Sequence, residues 1–134
     1  MIALDTSVVV AAFASWHEGH GAAVAALRRR PRLPAHVGLE TYSVLTRLPP
    51  PHRAPADVVV AFLLARFPAA TLTLPGKGHR ALLRTVVNAG LVGGAVYDAL
   101  VAETARHAGA TLLTRDRRAL ATYEAIGVRY EVVD

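Results

Sequence analysis

Two short apolar segments, one near each end of the chain, run into an aspartate. Residues 1–4 lead directly to Asp5, and residues 110–114 are followed one residue later by Asp116. Apolar runs of four or five residues suit a buried strand and are short for a helix. In a parallel sheet, ligands bind beyond the carboxyl ends of the strands. The pattern therefore predicts that both carboxylates face one crevice at the same sheet edge.

Helical segments separate these strand-like pieces along the chain. Further strand-like pieces are predicted at residues 71–74 and 128–133, and a first helix capped by Thr6 or Ser7 is predicted to end at Phe13. The other predicted helices are residues 21–30, 37–48, 55–67, 77–89, 97–107 and 117–126. Strands that alternate with helices predict an α/β fold with a mainly parallel sheet.

Length and composition favour one folded domain over residues 1–134. The chain is 53% hydrophobic and 19% charged, and no apolar run approaches the roughly 20 residues of a membrane span. The start of the chain has no basic leader before an apolar stretch, so we expect a cytoplasmic protein. The net charge is +5 and Lys77 is the only lysine. Arginine suits phosphate, so a polyanionic partner explains this charge as well as a general arginine bias does.

Four of the ten acids occupy places where carboxylates could converge. Asp98 begins a predicted helix after a glycine-rich loop, and Glu40 lies in the first turn of another. Helix starts at the carboxyl edge of the sheet face the same crevice as Asp5 and Asp116. Four carboxylates in one crevice would repel one another unless cations joined them. Ligation by oxygen alone suits Mg²⁺ or Mn²⁺.

Each acid also has a purely structural interpretation. Asp98 could be a helix N-cap, Asp116 a turn residue and Glu40 a partner of the helix dipole. Asp5 is the hardest to explain in this way, because Thr6 and Ser7 beside it can cap the helix. The joint placement of the four acids, rather than any one of them, favours a metal site.

The chain resembles PIN-domain proteins, and especially the VapC-type toxins of bacterial toxin–antitoxin pairs. The resemblance begins at Ile2-Ala3-Leu4-Asp5-Thr6-Ser7 and continues through residues 39–48. It is strongest at Tyr97-Asp98-Ala99-Leu100-Val101-Ala102 and at Leu112-Leu113-Thr114-Arg115-Asp116. The four segments in this order span essentially the whole chain.

This resemblance implies a three-layer α/β/α sandwich and a Mg²⁺- or Mn²⁺-dependent endoribonuclease. The acidic positions of the family fall on Asp5, Glu40, Asp98 and Asp116, and two supporting hydroxyls fall on Thr6 and Thr114. Many relatives carry a further acid where Arg117 and Arg118 stand, so we expect one firmly held metal. The resemblance also implies a cognate VapB-type antitoxin and a homodimer. The apolar residues of the helix over 57–67 indicate the same two protein contacts.

Two other functions remain open at this stage. Receiver-like and phosphatase domains also place aspartates at strand ends, but they use paired acids and a nearby lysine that this sequence lacks. A non-catalytic PIN-like module that binds RNA or protein is the second. His17-Glu18-Gly19-His20 lacks the spacing of a zinc-protease helix, so a surface or packing role is expected for it.

Overall fold

All 134 residues are described by a computed structural model of the chain. The elements in chain order are β1 (Ile2–Leu4), α1 (Thr6–Phe13), α2 (His20–Leu27), α3 (Ala35–Thr46), α4 (Ala56–Arg66), α5 (Gly76–Asn88), α6 (Ala95–His107), β2 (Thr111–Thr114), a 3-10 turn (Arg117–Ala119), α7 (Leu120–Ile126) and β3 (Tyr130–Val132). Helices pack on both faces of the sheet, which confirms the predicted three-layer α/β/α arrangement.

The sheet is parallel throughout. Strand β2 lies between β1 and β3, with Ala3 opposite Leu112 and Leu113 opposite Glu131. On the other side of β1, the chain adds only isolated bridges, between Ala3 and Arg32 and between Pro34 and Leu72. The strand predicted at residues 71–74 is thus reduced to one bridging residue. Pro34 has no N–H to donate to a longer ladder, and Pro75 ends the segment.

Several helix boundaries differ from the sequence prediction. Helix α3 begins two residues early because Pro34 takes an extended conformation that leads into it. Helix α6 also begins two residues early, at Ala95 after Gly94. Helix α2 ends at Leu27, since Arg30 has a left-handed φ of 56° and Pro31 follows it. The three consecutive arginines therefore lie beyond the last turn of α2, and their predicted place within it was wrong.

The core is built mainly from small aliphatic side chains. A cluster of 26 buried apolar residues includes members of β1, α1, α2, α6 and β2. Helix α4 contributes less than its composition predicts, because only Val59 is fully buried. Val58, Val60 and Leu64 of the same helix are exposed. None of the helices combines the length and apolarity needed to cross a membrane.

Candidate active site

Asp5 stands at the junction of β1 and α1, as its position after a strand predicts. Its Oδ1 accepts hydrogen bonds from Ser7 Oγ at 2.5 Å and from the Val8 amide at 3.3 Å. Its Oδ2 accepts one from the Tyr123 hydroxyl at 2.8 Å. Asp5 is therefore the N-cap of α1, a place that the sequence predicted for Thr6 or Ser7. This aspartate has a structural role in addition to any chemical one.

Burial also makes ionisation of the Asp5 carboxyl unfavourable. Asp5 is 4% exposed. Burial raises the pKa of this carboxyl, and the hydrogen bonds from Ser7, Thr114, Tyr123 and Val8 act in the opposite direction without cancelling the effect. A nearby positive charge would therefore stabilise the Asp5 carboxylate.

Asp116 follows β2 and caps the 3-10 turn. Its Oδ1 accepts a hydrogen bond from the Arg118 amide at 3.0 Å. Its own amide donates to Oγ1 of the buried Thr114 at 3.0 Å, so Thr114 fixes the backbone that presents the carboxylate. The turn interpretation of Asp116 and its position beside Asp5 are thus both true.

Glu40 and Asp98 approach from helices on the open side of the cleft. The structure places Glu40 in the second turn of α3, rather than the first turn that the sequence predicted. An interaction with the helix dipole is weaker there. Thr6 Oγ1 donates a hydrogen bond to Glu40 Oε1, and His36 Nε2 lies 3.6 Å from Glu40 Oε2. Asp98 lies in the first turn of α6 but is not its N-cap.

All four carboxylates line one small cavity. Its volume is about 50 Å³, and the other lining residues are Thr6, Ser7, Val101 and Tyr123. One water needs about 10–15 Å³ measured in this way, so the cavity has room for a few water-sized particles. It adjoins an outer cleft of about 580 Å³ that Arg115 and Arg118 also line.

The pKa of Asp98 depends on its burial and on the other acids around it. Burial and the negative charges of the other three acids together raise the pKa of Asp98 to about 6, against a lowering by Arg118. Oxygen ligands, a small cavity and mutual repulsion between the carboxylates together fit a divalent cation. No three Asp, Glu or His side chains stand close enough to enclose an ion.

The family of the chain follows from its sequence. Residues 2–125 match the PIN domain. The chain belongs to the PIN-domain family. Within that family it groups with VapC proteins. It is 54% identical over 133 residues to Ribonuclease VapC40 of Mycobacterium tuberculosis strains CDC 1551 / Oshkosh and H37Rv, with 99% of each chain covered. It is 46% identical to Ribonuclease VapC27 of strain H37Rv, covering 98% of this chain and 96% of the relative.

Solved structures agree with this PIN fold. FitAcB from Neisseria gonorrhoeae gives a TM-score of 0.70 at 20% identity, over 97% of this chain and 96% of that one. VapBC2 from Rickettsia felis, bound to a DNA fragment from their promoter, gives 0.68 at 18% identity with full coverage of both chains. At these identities the likeness establishes the fold alone.

Four side chains of this PIN domain support the cleft without having been predicted from the sequence. Ser7 joins two strand ends, since its Oγ also accepts a hydrogen bond from the Arg115 amide at 2.8 Å. Tyr123 and His36 contact Asp5 and Glu40, as described above. The Arg115 guanidinium lines the outer cleft and donates to the Val133 carbonyl at 3.0 Å. Only the position of His36, one turn before Glu40, could have been noticed in the sequence.

The His17–His20 segment divides between two roles. The His20 ring is bonded to the Ala11 carbonyl at 2.8 Å, a packing contact of the expected kind. His17 accepts a hydrogen bond from the Gly19 amide at 2.9 Å, and with Glu18 it lines the outer cleft. These side chains form no metal site. Arg117 is turned towards Asp134, 3.1 Å away, whereas Arg118 lies at the cleft.

Proposed function

We propose that this PIN domain is the endoribonuclease toxin of a VapBC-type toxin–antitoxin pair and requires Mg²⁺, with Mn²⁺ as a substitute. The observation that carries the proposal is the convergence of Asp5, Glu40, Asp98 and Asp116 on one cavity. The identity of 54% to a protein named a ribonuclease supports the activity. The reaction is hydrolysis of an RNA phosphodiester bond by water.

The residues of the cleft have different proposed roles. Asp5, Asp98 and Asp116 are the groups that would hold the cation, with Glu40 completing the set. When bound, the cation supplies a Lewis acid that offsets phosphate charge and makes water more nucleophilic at neutral pH. Ser7 and Tyr123 fix the orientation of Asp5, and Thr6 fixes Glu40. Arg115 and Arg118 line the outer cleft, where RNA phosphates would pass.

The protein partners belong to the same proposal. An apolar groove of about 420 Å³ is lined by residues of both α3 and α4, which include Leu39, Val60 and Leu64, and by Phe67. Apolar side chains this exposed indicate a protein contact, and we assign the groove to the antitoxin and other exposed apolar surface to a homodimer. The names of two proteins of similar fold, FitAcB and VapBC2, each join two components, which supports a complex between this chain and a second protein. The cytoplasm, which contains the RNA, is the proposed location, and residues 1–134 form one PIN domain.

A test of the activity uses purified protein and a mixed RNA pool. We expect cleavage with Mg²⁺ or Mn²⁺, loss of cleavage on chelation, and recovery when the ion is restored. Asp5→Asn is the informative variant, because asparagine also caps helices well and the fold should survive. Its cleavage rate should fall by roughly 100-fold or more, a loss typical of removing one preorganised charged group. Asp57→Asn, on the exposed start of α4, is the matched control.

Two outcomes would contradict the nuclease assignment. Full cleavage by Asp5→Asn would exclude the cleft as the catalytic site. RNA binding without cleavage under every metal condition would favour a non-catalytic PIN-like module, which is the alternative function.

A further inference from the structure

Two aromatic rings are stacked beside the acidic cavity. The rings of His36 and Tyr97 are nearly parallel, at 2°, with centroids 5.2 Å apart. His36 lies one turn before Glu40 on α3, and Tyr97 lies one residue before Asp98 on α6. The stack therefore joins the two helices that carry two of the four acids. Anything bound on it would lie next to the cleft.

The stack forms part of a separate open pocket. This Tyr97 pocket has a volume of about 290 Å³ and shares Glu40 with the acidic cavity. Its lining residues are His36, Leu39, Glu40, Ser43, Arg47 and Tyr97. The volume is close to the lower end for sites of small organic ligands, about 300 Å³. The pocket is therefore large enough for one flat ring system.

Folding of the isolated chain does not explain these side chains. Tyr97 is 55% exposed although it is a large aromatic residue. Nε2 of His36 is buried and makes no hydrogen bond, a situation that costs free energy unless a ligand or ion relieves it. The Arg47 guanidinium is exposed and contacts only Ser43 Oγ, at 3.1 Å. A histidine nitrogen without a hydrogen bond and an exposed guanidinium thus line the same pocket as the half-exposed Tyr97 ring.

The combination matches the chemistry of an unpaired nucleobase. Single-stranded RNA is recognised by stacking of bases on aromatic rings and by hydrogen bonds to the base edges. Tyr97 offers a ring face, and Arg47 offers donors to base acceptors. We propose that the Tyr97 pocket binds one unpaired RNA base, beside the phosphodiester that is cut. This inference rests on the proposed nuclease function, because it deepens the substrate specificity of the same site.

A second exposed aromatic pair provides a comparison within the chain. The ring centroids of Trp16 and His52 lie 4.0 Å apart with the planes tilted by 32°, and Trp16 is 50% exposed. Trp16 does not line the acidic cavity or the outer cleft. Like Tyr97, Trp16 is about half exposed and contacts a histidine ring. Neither Trp16 nor His52 lines the acidic cavity. Trp16→Ala is therefore a matched control for Tyr97→Ala.

The test scans one RNA oligonucleotide with single abasic substitutions around its cut site. The full chain with Mg²⁺ is assayed for kcat/KM, and binding of the labelled oligonucleotide is measured separately without divalent ions. One abasic position should lower the wild-type kcat/KM and affinity by roughly 5- to 100-fold, the usual range for one stacked base. Tyr97→Ala should remove most of that penalty, whereas Tyr97→Phe and Trp16→Ala should keep it.

The outcomes separate this inference from the proposed function. If the wild type cleaves RNA but Tyr97→Ala keeps the full abasic penalty, the base pocket is wrong and the nuclease assignment stands. An equal loss on intact and abasic RNA would mean that Tyr97 acts by positioning His36 and Glu40, which also overturns the pocket. If the protein does not cleave RNA, the binding scan still decides whether Tyr97 recognises a base. A change of oligomeric state in Tyr97→Ala, with the penalty retained, would assign this face to a second copy of the chain.

Discussion

Helix α3 contributes residues to both the acidic cleft and the apolar groove, and these two regions differ in how far the chain itself covers their side chains. In the acidic cleft, the buried Asp5 accepts hydrogen bonds from Ser7, Val8 and Tyr123, and the partly buried Glu40 accepts one from Thr6. In the apolar groove, side chains such as Leu39 and Leu64 are about three-quarters exposed, at 75% and 72%. Nothing within the chain covers them.

The contrast indicates what each region is missing. The cleft has a surplus of negative charge, which a small cation would offset. The groove has a surplus of apolar surface, which only another apolar surface would cover. Changes in one region should therefore leave the function of the other intact.

Among the changes that compare the two regions, the largest effect is expected at the groove, in binding of the antitoxin. Leu64→Glu places a charge in the middle of the apolar surface and should weaken binding of the VapB-type partner by at least about 30-fold, or roughly 2 kcal/mol. RNA cleavage by the free toxin should not change. Calorimetry of the complex and a cleavage assay measure the two quantities. Val92→Glu, at an 80% exposed position outside the groove, is the control.

A loss of both cleavage and partner binding in Leu64→Glu would contradict the independence of the two regions. If Leu64→Glu lowered cleavage as much as partner binding, the groove and the cleft would be one functional surface.

The next effect concerns the internal support of the cleft. Tyr123→Phe removes the hydroxyl that donates to Asp5 Oδ2 and leaves a buried carboxylate oxygen without that partner. The free energy of unfolding should fall by about 1–3 kcal/mol. Denaturant unfolding measures it. The control is Tyr130→Phe, whose hydroxyl donates to Glu124 at the surface and should matter by less than about 0.5 kcal/mol. Equal losses in the two variants would mean that Asp5 gains nothing from the buried hydroxyl.

Sequence reasoning located the acids better than it located their supports. Asp5 and Asp116 could be placed because the end of a strand is a local feature of the sequence. The contacts of Ser7 with the Arg115 amide and of Tyr123 with Asp5 join residues that are 108 and 118 positions apart. No local pattern encodes such pairs, since they exist only once β1 and β2 are side by side and α7 has packed against them.

The predicted first residues of α3 and α6 were wrong for a different reason. Pro34 and Gly94 each stand directly before a helix, so α3 and α6 begin two residues before their predicted starts at residues 37 and 97. The two-residue error moved Glu40 into the second turn and Asp98 to a position inside α6. Apolar periodicity does not locate a helix end to better than about one or two residues.

The third effect is a pH dependence that only the cleft should have. The folded-state pKa of Asp98 is about 6, above the ordinary value of 3.8. Between these values the folded chain holds more protons than the unfolded chain, so stability falls as the pH rises through the window. Asp98 is half-buried, and solvent screening limits the loss to roughly 1 kcal/mol.

The measurement compares wild type with Asp98→Asn in chelator, from about pH 4 to about pH 7. The stability difference between the two should grow in favour of the variant as the pH rises. Mg²⁺ at neutral pH should stabilise the wild type more than the variant. A difference that stayed flat with pH would mean that neither burial nor the neighbouring carboxylates raise the pKa of Asp98 in the folded protein.

The smallest effect is expected at Gly19, on the rim of the cleft. A Cβ added there would lie 2.3 Å from Cζ of Arg115, so Gly19→Ala must displace that guanidinium. The side chain is flexible, and the fold should therefore lose little stability. RNA affinity should fall a few-fold, because about one phosphate contact is weakened. Gly21→Ala, whose Cβ would meet nothing within 4 Å, adds the same methyl group without touching Arg115.

The salt dependence of binding makes this last comparison decisive. If Arg115 contacts phosphate, Gly19→Ala should bind RNA with a shallower dependence of log Kd on log salt than Gly21→Ala. Antitoxin binding at the groove should be the same in both variants. An unchanged slope, with Arg115 displaced, would remove Arg115 from the RNA path and leave Arg118 as the basic residue of the rim.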